Sequence, residues 1–277
     1  MRESDVHPTL RAGALALLVL IALVEVTPYL WMVSTSLKSL PEVIAFPPTL
    51  LPSEAMWSNY AEVWGSAPFG DYIANSVIIA TSIMITQGIL ACLAGYAFAR
   101  MEFPGRDAMF YAVIACLMIP PQVRFVSIFL LLDNFDLLDT YAAQILPHSV
   151  SALGIFLMRQ AFLAVPQEII DAAKVDGAGT LRIIFQIMLP MAAPTLTAFL
   201  LFSFVFHWND YFWPLVVTLE ETVRPLPLGV AMLREQGTGS RWHLIMAGNV
   251  ILVAPLLVAF VLAQKRIVKA FVFASIK

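Results

Sequence analysis

The chain has four histidines and two cysteines, and none of them is spaced for metal binding or nucleophilic catalysis. No H-E-x-x-H motif occurs, and Cys92 and Cys116 stand alone inside apolar segments. The G-x-S-x-G nucleophile elbow is absent, as is the G-x-x-x-x-G-K-[ST] loop that cradles nucleotide phosphates. The sequence therefore predicts no enzymatic site, and any use of ATP requires another subunit.

Charged residues inside apolar segments are the remaining candidates for chemistry, namely Glu25, Arg124 and Asp210. Such charges are costly in a bilayer, so they line cavities, contact substrate or pair with one another. A structural ion pair, or snorkelling of the long side chains to the interface, is equally compatible with the pattern. Pro120-Pro121 just before Arg124 interrupts one apolar segment, which is typical both of a transport path and of a simple kink.

A polar stretch from Val165 to Pro194 lies between two long apolar segments. Pro166 suits a helix start, and Glu168 and Asp171 follow where a helix N-terminus favours negative charge. Asp176-Gly177 predicts the end of this helix. Thr180 is then expected to cap a second helix that buries Ile183, Ile184, Ile187 and Met188 and ends at Pro190 and Pro194. The pattern predicts helix, turn, helix at a membrane surface.

The composition indicates that these residues are positioned by membrane helices. Hydrophobic residues make up 60% of the chain and charged residues 13%, whereas about a quarter of a soluble domain is charged. Because the bilayer core offers backbone groups no other partner, each span must be a helix of about 20 residues. The sequence predicts an all-α integral membrane protein forming a single transmembrane domain over residues 1–277. The six predicted spans cover about residues 12–33, 76–98, 108–132, 141–162, 195–218 and 244–263.

The first apolar segment has two interpretations. A cleaved signal peptide is one, but its length and the acidic residues Glu3 and Asp5 before it favour an uncleaved first span. Of the 16 Lys and Arg residues, eleven then fall on one side of the membrane and four on the other. Since cytoplasmic loops carry the excess of positive residues, we expect both termini and the polar stretch in the cytoplasm.

The polar stretch also resembles a known motif. Glu168, Asp171-Ala172-Ala173, Asp176-Gly177-Ala178 and Leu189-Pro190 resemble the EAA loop of ATP-binding-cassette (ABC) importer permeases, with Asp171 where that family usually has Glu. The resemblance implies a cytoplasmic coupling helix between spans 4 and 5, within about residues 165–190, that docks on an ATPase subunit. It implies ATPase-coupling roles for Glu168, Asp171, Ala172, Ala173, Asp176 and Gly177.

Further segments are similar to the carbohydrate importers of the maltose and glycerol-3-phosphate branch of that family. They include Tyr96-Ala97-Phe98-Ala99-Arg100, Trp208-Asn209-Asp210 and Pro120-Pro121-Gln122-Val123-Arg124. The candidates for the substrate path are therefore Arg124, Asn209, Asp210 and Glu25: three as charges within apolar segments, and Asn209 through the resemblance. The resemblance also implies that the outer loop 219–243, with a flexible tip at Gly237–Ser240, contacts a binding protein.

The resemblance identifies the chain as a member of the ABC importer permeases and implies carbohydrate or polyol-phosphate uptake by alternating access. Expected partners are a second, homologous permease, two ATPase subunits, an extracytoplasmic solute-binding protein and membrane lipid, but no nucleic acid. ATP and Mg²⁺ would be bound by the ATPase subunits and no cofactor or metal by this chain. The expected location is a bacterial or archaeal cytoplasmic (inner) membrane.

Two other classes of protein are alternatives. An ion-coupled secondary transporter would also explain the intramembrane charges, but it leaves the polar stretch unexplained. An intramembrane enzyme would require a catalytic constellation, which the sequence lacks.

Overall fold

The computed structural model describes residues 8–234 and 241–274, and all regular structure within them is helical. The predicted all-α class is thereby confirmed for this part of the chain. The helices in these residues are α1 (Pro8–Ser36), α2 (Leu40–Ile44), α3 (Ser58–Ser66), α4 (Phe69–Arg100), α5 (Arg106–Ala115), α6 (Pro121–Asn134), α7 (Tyr141–Ile145), α8 (Ala152–Leu163), α9 (Gln167–Val175), α10 (Thr180–Arg182), α11 (Leu189–Trp208), α12 (Phe212–Val217), α13 (Leu226–Met232) and α14 (Trp242–Ala274).

Several of these helices are long and apolar enough to cross a bilayer. Within the described residues, three continuous candidates cover Ala12–Ser36, Phe69–Arg100 and Thr180–Trp208. Two bent helix pairs bring the number to five if each pair is one span. Trp242–Val258 is a shorter apolar helix. The chain therefore has the architecture of an integral membrane protein.

The larger of the two bends coincides with adjacent prolines, whereas the break of the other pair, residues 149–151, contains none. Helices Arg106–Met118 and Pro121–Asn134 meet at 100° around Pro120, which precedes a helix that starts on a second proline. Tyr141–His148 and Ala152–Leu163 meet at 44°. A proline removes a backbone donor and restricts the residue before it, so the helix bends or stops there. The predicted spans 108–132 and 141–162 are thus broken rather than continuous.

One compact unit comprises the described parts of residues 1–68 and 230–254. In this unit the chain after α1 folds back on the end of that helix around Lys38, which is buried at 2% exposure. The Lys38 ammonium donates a hydrogen bond to the carbonyl oxygen of Thr49 and lies 4.8 Å from the ring centroid of Trp31. Asn59 Nδ2 donates to the carbonyl oxygens of Ser36 and Lys38, both at 2.9 Å. These bonds give a defined structure to the start of the first predicted outer loop, which lies between the predicted spans 12–33 and 76–98.

The same loop carries a carboxylate held by hydrogen bonds. The backbone N–H of Ser53 donates to Glu42 Oε1 at 2.9 Å, and the Thr49 hydroxyl donates to the same oxygen at 3.2 Å. The Ser53 N–H bond is the main reason that the pKa of Glu42 lies below its usual value. Glu42 therefore remains ionised and holds Thr49 and Ser53, which lie 7 and 11 positions after it in the chain.

The second compact unit comprises the described parts of residues 69–229 and 255–277, and its core is the contact of α4, α8 and α11. Glycines let these helices approach closely, as small residues do in membrane bundles. A Cβ atom on Gly95 of α4 would lie 2.8 Å from Met158 Cβ of α8, and one on Gly154 would lie 2.4 Å from Phe199 Cζ of α11. Met158 and Phe162 are fully buried between these helices. The core thus ends beside the segment that leads into α9.

Two predicted helix boundaries in the polar stretch are wrong. Thr180 does not cap the second helix: Gly179 is the N-cap residue and the cap has no side-chain hydrogen bond. Pro190 and Pro194 do not end it either, because one continuous helix runs from Thr180 to Trp208. A π-helical segment at Ile183–Met188 widens the backbone just before Pro190, so its missing N–H falls where the ladder is already irregular. The helix Thr180–Trp208 therefore begins and ends earlier than the predicted span 195–218, to which it corresponds.

Candidate functional site

Helix α9 carries most of the residues predicted to couple to an ATPase. It packs on the second unit through Ile170 and Ala173, which are 1% and 8% exposed. Among the predicted coupling residues, Glu168, Asp171, Ala172, Asp176 and Gly177 are all exposed. The helix thus has one face buried in its own chain and one exposed face, mostly polar but including Ile169 and Val175, that no other described residue covers.

The turn after α9 has the geometry expected from Asp176-Gly177. Gly177 has φ of 75°, in the left-handed region, so the predicted conformation is confirmed. Its N–H donates to Lys174 O at 3.0 Å, and the Ala178 N–H donates to Ala173 O at 2.9 Å. This pair of bonds is a Schellman motif, which satisfies the last helical carbonyls. The turn therefore fixes the direction in which the chain enters α10.

Asp171 has partners within its own helix. Its Oδ1 accepts a 2.9 Å hydrogen bond from Gln167 Nε2 and lies 3.9 Å from the ammonium of Lys174. Both side chains of the ion pair are 58% exposed, so solvent screens it and its contribution to stability is small. The carboxylate remains accessible to a partner, oriented by Gln167.

The second helix of the stretch buries the face predicted for it. Ile183, Ile184 and Met188 are at most 3% exposed, and Ile187 packs partly buried against the same core cluster. Arg182 stays exposed, with Nε donating to Gln186 Oε1 at 3.0 Å. The segment from α9 to the π helix is therefore a surface hairpin, formed by α9 and the first turns of the long helix Thr180–Trp208 and anchored by aliphatic side chains.

The intramembrane charges do not pair as salt bridges among the residues that the structure describes. Arg124 is exposed on α6, and no hydrogen bond or ion pair of its guanidinium occurs there. Asp210 is partly buried and accepts a 3.3 Å hydrogen bond from the Trp213 N–H. Asn209 is exposed and donates only to Val205 O, four residues earlier. Glu25 is exposed on α1 and has no salt bridge within its own unit.

A buried polar cluster that sequence reasoning missed joins three helices of the second unit. Gln87 Nε2 donates to His148 O at 2.7 Å and lies 3.3 Å from His207 Nε2, while the Ser203 hydroxyl donates to Gln87 Oε1 at 2.8 Å. His148 ends the first half of a bent pair, so Gln87 satisfies a carbonyl that the break leaves free. Ser203 and His207 are four residues apart on one helix, but no spacing in the sequence links them to Gln87 or His148.

The same cluster borders a small cavity of about 10 Å³. Its polar lining includes Ser76, Gln144, His148, His207 and Asp210. Gln144 is 1% exposed, and its Oε1 has no hydrogen-bond partner among the described residues. A cavity of this size has room for about one water molecule and none for a sugar. Of the residues predicted for a substrate path, only Asp210 lines it.

Comparison with known proteins identifies the family. The family model for the inner membrane component of binding-protein-dependent transport systems matches residues 87–272. The chain belongs to this family. The resemblance to ABC importer permeases is thereby confirmed, and the matched residues of the permease include the segment from α9 to α11.

Curated relatives extend the match over most of the permease. It is 31% identical over 238 residues to the sn-glycerol-3-phosphate transport system permease protein UgpE of Yersinia enterocolitica, covering 83% of this chain and 85% of that protein. It is 34% identical over 255 residues to the diacetylchitobiose uptake system permease protein NgcG of Streptomyces coelicolor, covering 91% and 84%. These relatives are transport components rather than enzymes.

A solved structure confirms the fold. A chain in the crystal structure of a bacterial ABC transporter involved in the import of the acidic polysaccharide alginate matches with a TM-score of 0.82. The match covers 96% of the permease and 98% of that chain at 23% sequence identity. At this identity the likeness describes the fold and carries no information about substrate.

Proposed function

We propose that this permease is a transmembrane subunit of an ABC importer for a carbohydrate or a polyol phosphate. Two ATPase subunits would bind ATP and Mg²⁺ at the cytoplasmic face, and a solute-binding protein would deliver substrate from the other side. A second, homologous permease would complete the pathway. The observation that carries the proposal is α9, a helix held to its own chain by Ile170 and Ala173 with an uncovered, mostly polar face.

The uncovered face of α9 suits a protein groove better than a lipid surface. A helix that lies in the membrane interface turns an apolar face outward, towards the acyl chains. Here the apolar residues Ile170 and Ala173 face the permease itself. The outward side carries Glu168, Asp171 and Asp176 together with the exposed apolar residues Ile169 and Val175, a mixed surface of the kind that a protein groove covers. Acidic groups in a surface hairpin can meet basic residues of a partner and orient it. We therefore assign docking of the ATPase to α9 and the turn at Gly177.

Closure of the ATPase subunits would then drive alternating access through this hairpin. The π helix and α11 continue from α10 without a break, so displacement of the hairpin acts directly on a long apolar helix, Thr180–Trp208. We infer six spans: the three continuous candidates, the two bent pairs, and a last span that begins in Trp242–Val258. The Lys and Arg distribution supports α9 and both termini on the cytoplasmic side, and we propose a bacterial or archaeal cytoplasmic membrane as the location.

Helix α1 supports a second permease subunit as a partner. None of its most apolar 18-residue window is buried within the chain. Lipid can cover such a helix, but the exposed carboxylate of Glu25 lies within it, and an unpaired carboxylate facing acyl chains is unfavourable. A partner subunit, or a hydrated path between the two permeases, would resolve this.

Arg124 favours an anionic substrate. Its guanidinium is exposed and free of carboxylate partners within the part of the chain that the structure describes. A guanidinium matches phosphate or carboxylate geometry with two parallel hydrogen bonds. One matched relative, UgpE, is named for an anionic solute, sn-glycerol-3-phosphate, whereas another, NgcG, is named for diacetylchitobiose. We propose Arg124, with Asn209, Asp210 and Glu25, as the polar side chains of the substrate path.

The experiment that tests this function starts from the whole transporter. The permease should be co-expressed with its companion permease and ATPase subunits, purified in detergent and reconstituted with the binding protein. We expect the ATPase to co-purify and substrate-loaded binding protein to stimulate hydrolysis. Uptake without any associated ATPase, driven instead by an ion gradient, would overturn the proposal.

A further inference from the structure

The last residue of α4, Arg100, joins that helix to the segment leading into α9. Its Nη2 donates to Phe162 O at 2.7 Å, and it also donates to Val165 O. Its Nη1 donates to Gln167 Oε1 at 2.8 Å. One guanidinium therefore contacts the end of α8, the linker after it and the first residue of α9.

A second arginine mirrors this arrangement from the opposite side. Arg159 of α8 donates from Nε to Phe98 O near the end of α4, at 3.3 Å, and its guanidinium lies 4.1 Å from the ring centroid of Phe110. Each helix thus places a cation on the last carbonyls of the other. Cations near helix C-termini are favourable because those carbonyls carry the negative end of the helix dipole. The ends of α4 and α8 are therefore joined by hydrogen bonds from arginines to backbone carbonyls, and no carboxylate takes part.

Arg100 and Arg159 differ in the contacts that they make outside the ends of α4 and α8. Arg100 alone contacts α9, through Gln167, which in turn donates from Nε2 to Asp171 at 2.9 Å. The chain Arg100, Gln167, Asp171 links a long apolar helix to a carboxylate on the uncovered face of α9. No salt bridge of Arg100 occurs among the described residues, so this linkage depends on hydrogen-bond geometry rather than on an opposite charge.

We propose that Arg100 is a positioning residue that makes α4 move together with α9 during the transport cycle. The inference rests on the proposed function, since it takes α9 as the helix that the ATPase displaces. Arg100 contacts neither nucleotide nor substrate. Its five fixed N–H donors let it hold the Phe162 and Val165 carbonyls and Gln167 at once. Displacement of α9 is thereby transmitted to α4 as well as along the continuous chain to α11.

The measured quantity that isolates this role is the amount of substrate taken up per ATP hydrolysed. Arg100→Gln keeps a polar side chain but cannot reach the three acceptors together. We expect it to insert, bind the ATPase and hydrolyse ATP, while uptake per ATP falls about tenfold, within the range usual for coupling between sites. Arg100→Lys keeps the charge but has a single donor group. Its uptake per ATP should lie between that of Arg100→Gln and that of the unsubstituted permease.

Two further variants make the test decisive. Gln167→Met removes the acceptor on α9 and leaves the bonds between Arg100 and the carbonyls intact; it should also lower uptake per ATP. Arg106→Gln is the matched control, because among the described residues the Arg106 side chain bonds only to Asp107 and to Met101 O. It should retain the original ratio. If Arg100→Gln does not assemble, Gln167→Met decides the question.

The outcomes separate this inference from the function on which it rests. An unchanged ratio of uptake to ATP hydrolysis in Gln167→Met, or in an assembled Arg100→Gln complex, overturns the role of Arg100 and leaves the proposed function standing. Equal loss of uptake and of ATP hydrolysis, with the ratio preserved, would make Arg100 merely structural. Failure of the unsubstituted permease to associate with an ATPase would instead overturn the proposed function.

Discussion

The backbone N–H of Ala178 donates a 2.9 Å hydrogen bond to the carbonyl oxygen of Ala173, and this bond closes α9. It can form only because the residue between the helix and Ala178, Gly177, has φ of 75°. A side chain at such a residue strains the backbone by about 1–3 kcal/mol. The relationship makes the direction in which the chain leaves α9 depend on one glycine.

The first prediction is that Gly177→Leu weakens coupling to the ATPase without preventing membrane insertion. The substituted residue favours negative φ, so the turn should open and the orientation of α9 should change. The ATP hydrolysis stimulated by loaded binding protein should fall, together with uptake. Gly179→Leu is the control, because Gly179 has φ of −72° and, like Gly177, open space around its Cβ position. Equal loss in both variants would contradict a role for the left-handed turn.

The second prediction concerns the charge of Asp171. Asp171→Lys should abolish association with the ATPase, because a reversed charge in a partly desolvated contact is repulsive and costs about 2–5 kcal/mol. Asp171→Glu should be tolerated, since it preserves the charge and lengthens the reach. The measurement is co-purification of the ATPase with each variant. Recovery of the lysine variant at the original stoichiometry would exclude Asp171 from the docking contact.

The third prediction is that Arg124→Met leaves assembly and basal ATP hydrolysis intact and abolishes uptake. The guanidinium has no carboxylate partner to strand among the described residues, so its removal should not destabilise the chain. Val123→Met is the control, because Val123 is an exposed neighbour on α6 at 68% exposure. Full uptake by Arg124→Met would remove Arg124 from the substrate path, and failure to assemble would indicate a structural role.

The fourth prediction tests the polar cluster around Gln87. Gln87→Leu strands His148 O and the Ser203 hydroxyl, and buried polar groups without partners in membrane proteins cost roughly 0.5–2 kcal/mol. The thermal unfolding midpoint in detergent should therefore fall. Thr86→Val is the matched control, because the Thr86 hydroxyl bonds, within the part of the chain that the structure describes, only to Ser82 O and Ile83 O in its own helix. A second change, Ser203→Ala, should recover part of the loss in Gln87→Leu.

The loop assigned to the binding protein extends beyond what the structure describes. The flexible tip expected at Gly237–Ser240 lies outside the described residues. The contact with a binding protein therefore stays a prediction from resemblance. In the described part of the first predicted outer loop, the folded structure around Lys38 was not foreseen, because it depends on carbonyls of Thr49 and Ser36 that no side-chain pattern marks.

Local chemistry explains why the turn at Gly177 could be predicted whereas the end of the following helix could not. The left-handed turn at Gly177 depends on the conformational freedom of glycine and on hydrogen bonds within six residues of the chain. Pro190 and Pro194 suggested a helix end by the same kind of rule. The rule failed because a π-helical segment and the apolar surroundings let the helix continue past both prolines.

The sequence by itself determined the helical class, the membrane environment and the turn at Gly177, because composition and short-range backbone preferences carry all three. The family followed from the resemblance of Asp171-Ala172-Ala173 and Asp176-Gly177-Ala178 to a known motif. Only the tertiary structure decided that Gln87 meets His148 and His207, which are 61 and 120 residues away, and that Arg100 reaches Gln167. The physical reason is that lipid tails are as apolar as the helix core. Apolar side chains therefore surround a membrane helix on all faces, and their pattern does not specify which faces meet.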